Sequence, residues 1–174
     1  SIGQLAFGGC TNLRKVIFSK RLEEIGSKAF YGCTNLKKRR FPYGLKQVWK
    51  YAFAECENLK TVKWKSDWEK DVHLFSGVFY NCKNLRKITI PENATIVDDI
   101  FGGCNNLRVK MYCKSSVLDP FFFKEQNFPE TAVILVPKRW LGEYRKLVSK
   151  FETEDYKIKV EEIKKHRQKK KENP

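Results

Sequence analysis

Apolar and polar positions along the chain recur in blocks of roughly 23 residues. Each block contains an alternating stretch, such as Leu13-Arg-Lys-Val16-Ile-Phe18 or Leu85-Arg-Lys-Ile88-Thr-Ile90. Alternate side chains of an extended segment point to opposite faces, so this pattern predicts a short strand with one buried side. A turn follows, marked by Pro42 and Pro91, and after it an Ile-Gly-x-x-Ala-Phe segment whose apolar spacing predicts a single α-helical or 3₁₀ turn.

The cysteines define the period. Cys10, Cys33, Cys56, Cys82 and Cys104 are separated by 23, 23, 26 and 22 residues. Two residues after each stands an asparagine (Asn12, Asn35, Asn58, Asn84, Asn106), and three after each a leucine (Leu13, Leu36, Leu59, Leu85, Leu107). Three residues before each stands a phenylalanine (Phe7, Phe30, Phe53, Phe79, Phe101), and eight before a large aliphatic (Ile2, Ile25, Val48, Leu74, Ile96). A single block cannot bury its own apolar face, so consecutive blocks must stack as coils and merge each column into a continuous interior. Burying one phenylalanine is worth about 1.5–3 kcal/mol, which makes that column a principal source of cohesion.

Three places depart from the pattern. An insertion falls within Ser66–His73, Arg39 stands where the neighbouring blocks have Val16, Val62 and Ile88, and Val109-Lys-Met111-Tyr-Cys113 reads as a one-residue slip. Five clear repeats occupy 1–113 and a degenerate sixth 114–137, giving a solenoid over 1–137. Trp140, Leu141, Tyr144, Leu147, Val148 and Phe151 then form the stripe of an amphipathic helix. This predicts a helix over 138–150 within a cap over 138–163, with Tyr156–Val160 adding a strand by its alternation. A cap of this kind covers the core edge that a terminal coil would otherwise expose.

The formal net charge is +15. About +10 of it falls in 1–113 and about +5 in the basic tail 164–174. Such an excess favours acidic partners without choosing among them. Directly after each repeat leucine comes a basic residue, Arg14, Lys37, Lys60, Arg86 and Arg108; Lys15, Lys38 and Lys87 occupy the next column, and Arg40 and Lys63 stand two further on. If the strands stack in parallel, these residues form a basic stripe across several coils, where like charges repel unless they are solvated or matched by a ligand. Trp49, Tyr51, Trp64 and Trp68 add aromatic surface near the third repeat as candidate contact anchors.

Catalytic and metal chemistry find little support. No Cys-x-x-Cys occurs and His73 and His166 stand apart, so neither a zinc site nor any other cofactor is expected. A nucleophile elbow, a glycine-rich phosphate loop and a paired-carboxylate motif are all missing, and an enzyme is not expected. Cysteines of one column lie about 4.8 Å apart with parallel side chains, whereas a disulfide needs converging Cβ atoms about 3.8 Å apart. They are therefore read as buried free thiols, with Cys104 and Cys113 left open as a pair. The asparagine column is read as a ladder whose amides satisfy buried backbone groups between coils.

The composite Ile-Gly-x-x-Ala-Phe-x-x-Cys-x-Asn-Leu-x-x-Val-x-Ile-Pro resembles the BspA-like leucine-rich-repeat family, found in surface proteins of host-associated bacteria and some protists. The likeness covers 1–113 and continues through Ser116–Phe122 and the cap-like Ala132–Lys138. It implies an α/β fold: a right-handed leucine-rich-repeat solenoid with a stacked parallel β-sheet and a C-terminal helical cap. It further implies a secreted or cell-surface interaction or adhesion module whose partner is a protein or an acidic glycan. Two alternatives stay open, an intracellular nucleic-acid binder using the stripe and tail, and an architectural segment of a longer surface protein. No stretch approaches the roughly 18 apolar residues of a membrane span, so no membrane insertion is expected. The chain begins in mid-repeat, so its start says nothing about an export signal, an anchor or earlier repeats.

Overall fold

The computed structural model describes residues 1–64, 71–97, 99–114, 118, 122–123, 128–129 and 131–163. Trp68, most of the insertion after the fourth strand and the basic tail 164–174 lie outside the described residues.

The chain winds as a solenoid with two parallel sheets. The smaller contains β1 (Glu24–Ile25), β3 (Gln47–Val48), β5 (Val72–Leu74) and β7 (Ala94–Ile96) in that order. The larger runs β10 (Lys159–Glu162), β9 (Val133–Val136), β8 (Arg108–Met111), β6 (Lys87–Ile90), β4 (Thr61–Lys63) and β2 (Lys38–Arg40). Among the described residues every strand pairing is parallel, and within the repeats the pairs join equivalent inward positions of adjacent coils, as in Arg39↔Val62 and Ile88↔Val109. The aliphatic column forms the buried line of the smaller sheet through Ile25↔Val48, Val48↔Leu74 and Leu74↔Ile96. Single bridges from Ile2 and to Leu118 extend it at both ends.

Between the sheets the phenylalanines stack face to face. Phe7–Phe30, Phe30–Phe53, Phe53–Phe79 and Phe79–Phe101 have ring centroids 5.1, 5.0, 6.0 and 6.2 Å apart. Phe122 and Phe128 meet Phe101 edge-on and close the column. Beyond them a 3₁₀ turn (Lys138–Trp140) leads into α1 (Leu141–Val148). Tyr144 donates its hydroxyl to the Cys113 carbonyl at 2.8 Å, and Tyr156 donates to the carbonyls of Phe123 and Phe128. The cap is thereby fastened to the fifth and sixth coils by buried polar contacts, and β10 then pairs with β9 as the last strand of the larger sheet.

The structure corrects four expectations. The Ile-Gly-x-x-Ala-Phe segment forms no helical turn but a run of β-turns whose amides alternate in direction. Ala29, Tyr31 and Cys33 donate within their coil to Gly26, Lys28 and Phe30, while Lys28, Phe30 and Gly32 donate to Lys50, Ala52 and Ala54 of the next coil. The geometry requires a left-handed residue five and one positions before each cysteine: Leu5, Lys28, Tyr51, Gly77 and Asp99, then Gly9, Gly32, Glu55, Asn81 and Gly103. Apolar residues at Ile25, Ala29, Phe30 and Cys33 have the spacing of a helical stripe, although the turns that place them start every two residues. Second, Leu13–Phe18 stays outside the larger sheet, which ends at β2. Third, the last strand begins at Lys159 rather than Tyr156; Tyr156 and Ile158 are buried, but on an irregular lead-in. Fourth, the helix is shorter than 138–150, because its first three residues form the 3₁₀ turn.

The one-residue slip is absorbed ahead of β8, where Asn106 takes a left-handed φ of 52°. Val109 and Met111 thereby stay level with Ile88 and Ile90. Backbone-to-backbone approach between coils is tightest at Gly26, where an added Cβ would lie 2.7–2.9 Å from backbone atoms of Ile2, Gly3 and Gln4. Gly26→Ala is expected to cost about 1–3 kcal/mol, read from the shift in urea midpoint.

Candidate binding face

The outward side of the larger sheet carries cations in register. Lys38, Thr61, Lys87 and Arg108 are aligned across four strands by ladder pairing. Just before the strands, Lys37, Lys60 and Arg86 are held level by backbone bonds from Lys60 to Lys37 (2.7 Å) and from Arg86 to Lys60 (3.1 Å). On the far side, Arg40 is level with Lys63, and Thr89 with Lys110. All of these lysines and arginines are exposed. Lys15 and Arg14 are exposed on the first coil beside them.

Arg108 changes column. Its count from Cys104 places it with Arg86, but the shortened fifth repeat sets it opposite Lys87. Lys110 belongs to the face and escaped the sequence reading, although the alternation of Val109 and Met111 around it was its signal. Among the described residues only Arg108 of these cations pairs with a carboxylate, that of Glu161 at 3.3 Å. Glu161 also receives Lys159 at 2.9 Å, and the Lys159 hydrogen bond holds its carboxyl below the usual range. The basic face therefore ends at β9, whose outward Val133 and Leu135 carry no charge, and β10, which is acidic.

Arg39 alternates inward between Lys38 and Arg40 and is 7% exposed. Its guanidinium donates through Nη1 to the Lys38 carbonyl and through Nη2 to the Arg14 carbonyl at 3.4 Å. It stands in the column that the neighbouring coils fill with Val16, Val62 and Ile88, and it pairs level with Val62 in the ladder. Between Leu13–Phe18 and β2 lies an open cleft of about 790 Å³, lined by Arg14, Lys15, Val16, Ile17, Phe18, Lys37, Lys38, Arg39, Arg40, Thr61 and Lys63.

The cysteines form a ladder that the sequence reading missed. Cys33, Cys56, Cys82 and Cys104 donate their Sγ–H to the carbonyls of Phe7, Phe30, Phe53 and Phe79 in the preceding coil, at 3.1–3.2 Å. All six cysteines are free, Cys104 and Cys113 included. Burial pushes Cys33 and Cys113 up to about 11 and Cys56 and Cys104 to about 12, and Cys82 is also raised. Asparagine amides bridge coils at Asn35 to Thr11 (2.8 Å) and Asn84 to Glu57 (2.9 Å). These bridges lie nearer the surface than expected: Asn35 and Asn58 are half-buried, and Asn12, Asn84 and Asn106 are exposed.

Of the candidate aromatic anchors Trp64 is corrected, being buried against Phe41. Trp49 and Tyr51 are half-buried; Trp49 stacks on Phe75 at 4.3 Å and Tyr51 meets Tyr80 edge-on. His73 is half-buried in β5. Among the described residues no group of three His, Cys, Asp or Glu side chains is placed to hold a metal ion. No helix among them is long and apolar enough to cross a membrane.

Comparison with known proteins agrees with this architecture. A Treponema pallidum leucine-rich-repeat protein of known crystal structure aligns over 91% of this chain and 78% of its own, at 21% identity and a TM-score of 0.56. A Bacteroides ovatus leucine-rich-repeat protein aligns over 94% and 75% at 18% identity, with a TM-score of 0.31. A search of curated protein sequences finds no match. The family model for the BspA type leucine rich repeat region matches residues 1–128 as six copies. With the stacked coils, the repeated Phe-x-x-Cys-x-Asn-Leu columns and the sixth unit all accounted for by that match, the chain belongs to the BspA-type leucine-rich-repeat family.

Proposed function

We propose that the protein is a non-enzymatic interaction module, secreted or displayed at a cell surface, that docks acidic proteins or acidic glycans on the outward face of its larger sheet. The observation that carries this reading is the set of basic rows on β2, β4, β6 and β8, held in register and, apart from Arg108, without a carboxylate partner among the described residues. Like charges on adjacent parallel strands repel, so the arrangement costs stability in the free protein and is relieved when a polyanion covers it. A rigid array of this kind binds by many weak contacts, and its attraction works over about 8 Å at physiological salt. Leucine-rich-repeat scaffolds of this family are generally protein-binding rather than catalytic, in keeping with the reading.

Charge reversal tests it. The triple variant Lys37→Glu, Lys60→Glu, Arg86→Glu is expected to lose at least about tenfold in affinity for a sulfated glycan and an acidic protein, each measured by surface plasmon resonance. Binding by the unaltered protein should weaken as salt rises from low to physiological levels. Unchanged affinity in the triple variant would overturn the proposal, as would much tighter binding to a nucleic acid of equal charge density.

A further inference from the structure

The cleft beside β2 holds a guanidinium that meets no carboxylate among the described residues. Arg39 is 7% exposed, and its Nε has no hydrogen-bond partner among the described residues. Among the described residues its Nη groups reach only neutral backbone carbonyls. The ionisable groups whose fields act on it are the thiols of Cys56 and Cys33, and burial keeps both protonated in the physiological range. A buried charge without a counter-charge is unfavourable and is rarely retained without a partner. The equivalent position in neighbouring coils is filled by Val16, Val62 and Ile88, so packing alone does not require an arginine there. Around it the cleft brings Arg14, Lys15, Lys37, Lys38, Arg40 and Lys63 to one opening.

We propose that this cleft is a binding site for a tetrahedral oxyanion, the sulfate or phosphate group of a polyanionic ligand, with Arg39 as the residue that selects it. A guanidinium offers a planar fork of donors, and ringed ammonium groups supply point charges to the remaining oxygens. A tetrahedral group carries enough oxygens to meet both kinds of donor at once, which a carboxylate does not. The cleft opens onto Lys63 and Lys37, so a longer anionic chain seated there continues along the basic rows. In that respect the inference rests on the basic-face reading, while the cleft itself is tested separately.

The test uses millimolar inorganic sulfate, inorganic phosphate and acetate at matched ionic strength, with calorimetric titration and the thermal unfolding midpoint as readouts. The unaltered protein is expected to bind and be stabilised by sulfate or phosphate and not by acetate. Arg39→Val, which restores the residue type of the other coils, should unfold at the same or a higher temperature without anion yet bind about tenfold or more weakly. Arg39→Lys should recover part of the binding. A response to sulfate resolves it from phosphate by relative affinity, and a sulfated oligosaccharide shows whether the group is taken from a polymer. Equal binding of acetate, or full binding by Arg39→Val, overturns the inference. Arg86→Glu, Lys87→Glu lies outside the cleft and should keep the inorganic anion response while weakening the polymer. If it leaves polymer binding unchanged, the basic-face reading fails and the cleft stands; if the polymer binds as expected but no inorganic oxyanion does, the cleft fails alone.

Discussion

Phe53→Ala is expected to destabilise the protein by about 3–5 kcal/mol. Its ring is fully buried between Phe30 at 5.0 Å and Phe79 at 6.0 Å, with Phe41 at 5.5 Å on its side. Removing it loses the transfer free energy of the ring and opens a cavity that rigid neighbouring coils cannot close. Phe7 offers the control: it is 38% exposed and has a stacked ring on one side only, Phe30 at 5.1 Å. Phe7→Ala should therefore cost far less, in the lower part of the range for partly buried side chains, about 1 kcal/mol. Urea denaturation of both variants checks the order. Equal losses, or a loss below about 1 kcal/mol at Phe53, would contradict a continuous stacked interior. Domains are stable by only about 5–15 kcal/mol, so the Phe53 variant should stand close to unfolding at room temperature.

The second large effect is alkaline unfolding. Cys33, Cys56, Cys104 and Cys113 are pushed from the ordinary thiol value of 9.0 to about 11–12, and Cys82 is also raised, in each case chiefly by burial. Below about pH 8 both folded and unfolded chains keep these protons, and the thiols make no difference to pH dependence. Between about 9 and 12 the unfolded chain releases them first, so stability falls as pH rises, by about 1.4 kcal/mol per pH unit for each protected thiol. The phenol of Tyr144, raised by burial, adds to the fall. Arg39, lowered to about 10 by burial, acts in the opposite sense, but it is one group against five thiols. Circular dichroism should show cooperative unfolding between about pH 9 and 11. Cys82→Ala, which removes a titrating thiol from the ladder, should move that midpoint upward relative to the loss it causes at neutral pH. A native signal unchanged to pH 11 would contradict the buried ladder.

What was legible in the sequence follows from what repeats. Equivalent phenylalanines, cysteines and aliphatics must lie level with one another, because any other register would turn a buried column out to water; the ladder pairs show this for the aliphatics, the stacked rings for the phenylalanines and the Sγ–H bonds for the cysteines. The turn run was misread because hydrophobic spacing reports which residues face inward, not where their amides donate. The left-handed positions are equally hidden, since Gly32 and Gly77 stand in columns that also hold Lys28, Tyr51 and Glu55. The basic rows were legible, but their exact membership was not. Arg108 shifted one place because a missing residue was absorbed at Asn106, before the strand rather than within it. Arg39 was noticed as an irregularity, yet only coordinates place its guanidinium between two coils and open a cleft beside it.

Spacing between equivalent positions of non-adjacent coils tests the stacked architecture most directly. Spin labels introduced through non-natural amino acids at Thr11 and Asn105, one residue past the cysteines of the first and fifth coils, span four coil steps. Parallel strands about 4.8 Å apart put those backbone positions about 20 Å apart, and the pair Glu57 and Asn105, two steps apart, at about half of that. Narrow distance distributions that double from the shorter pair to the longer are the predicted result. Broad distributions, or two separations of similar length, would mean that the five segments are not stacked in register.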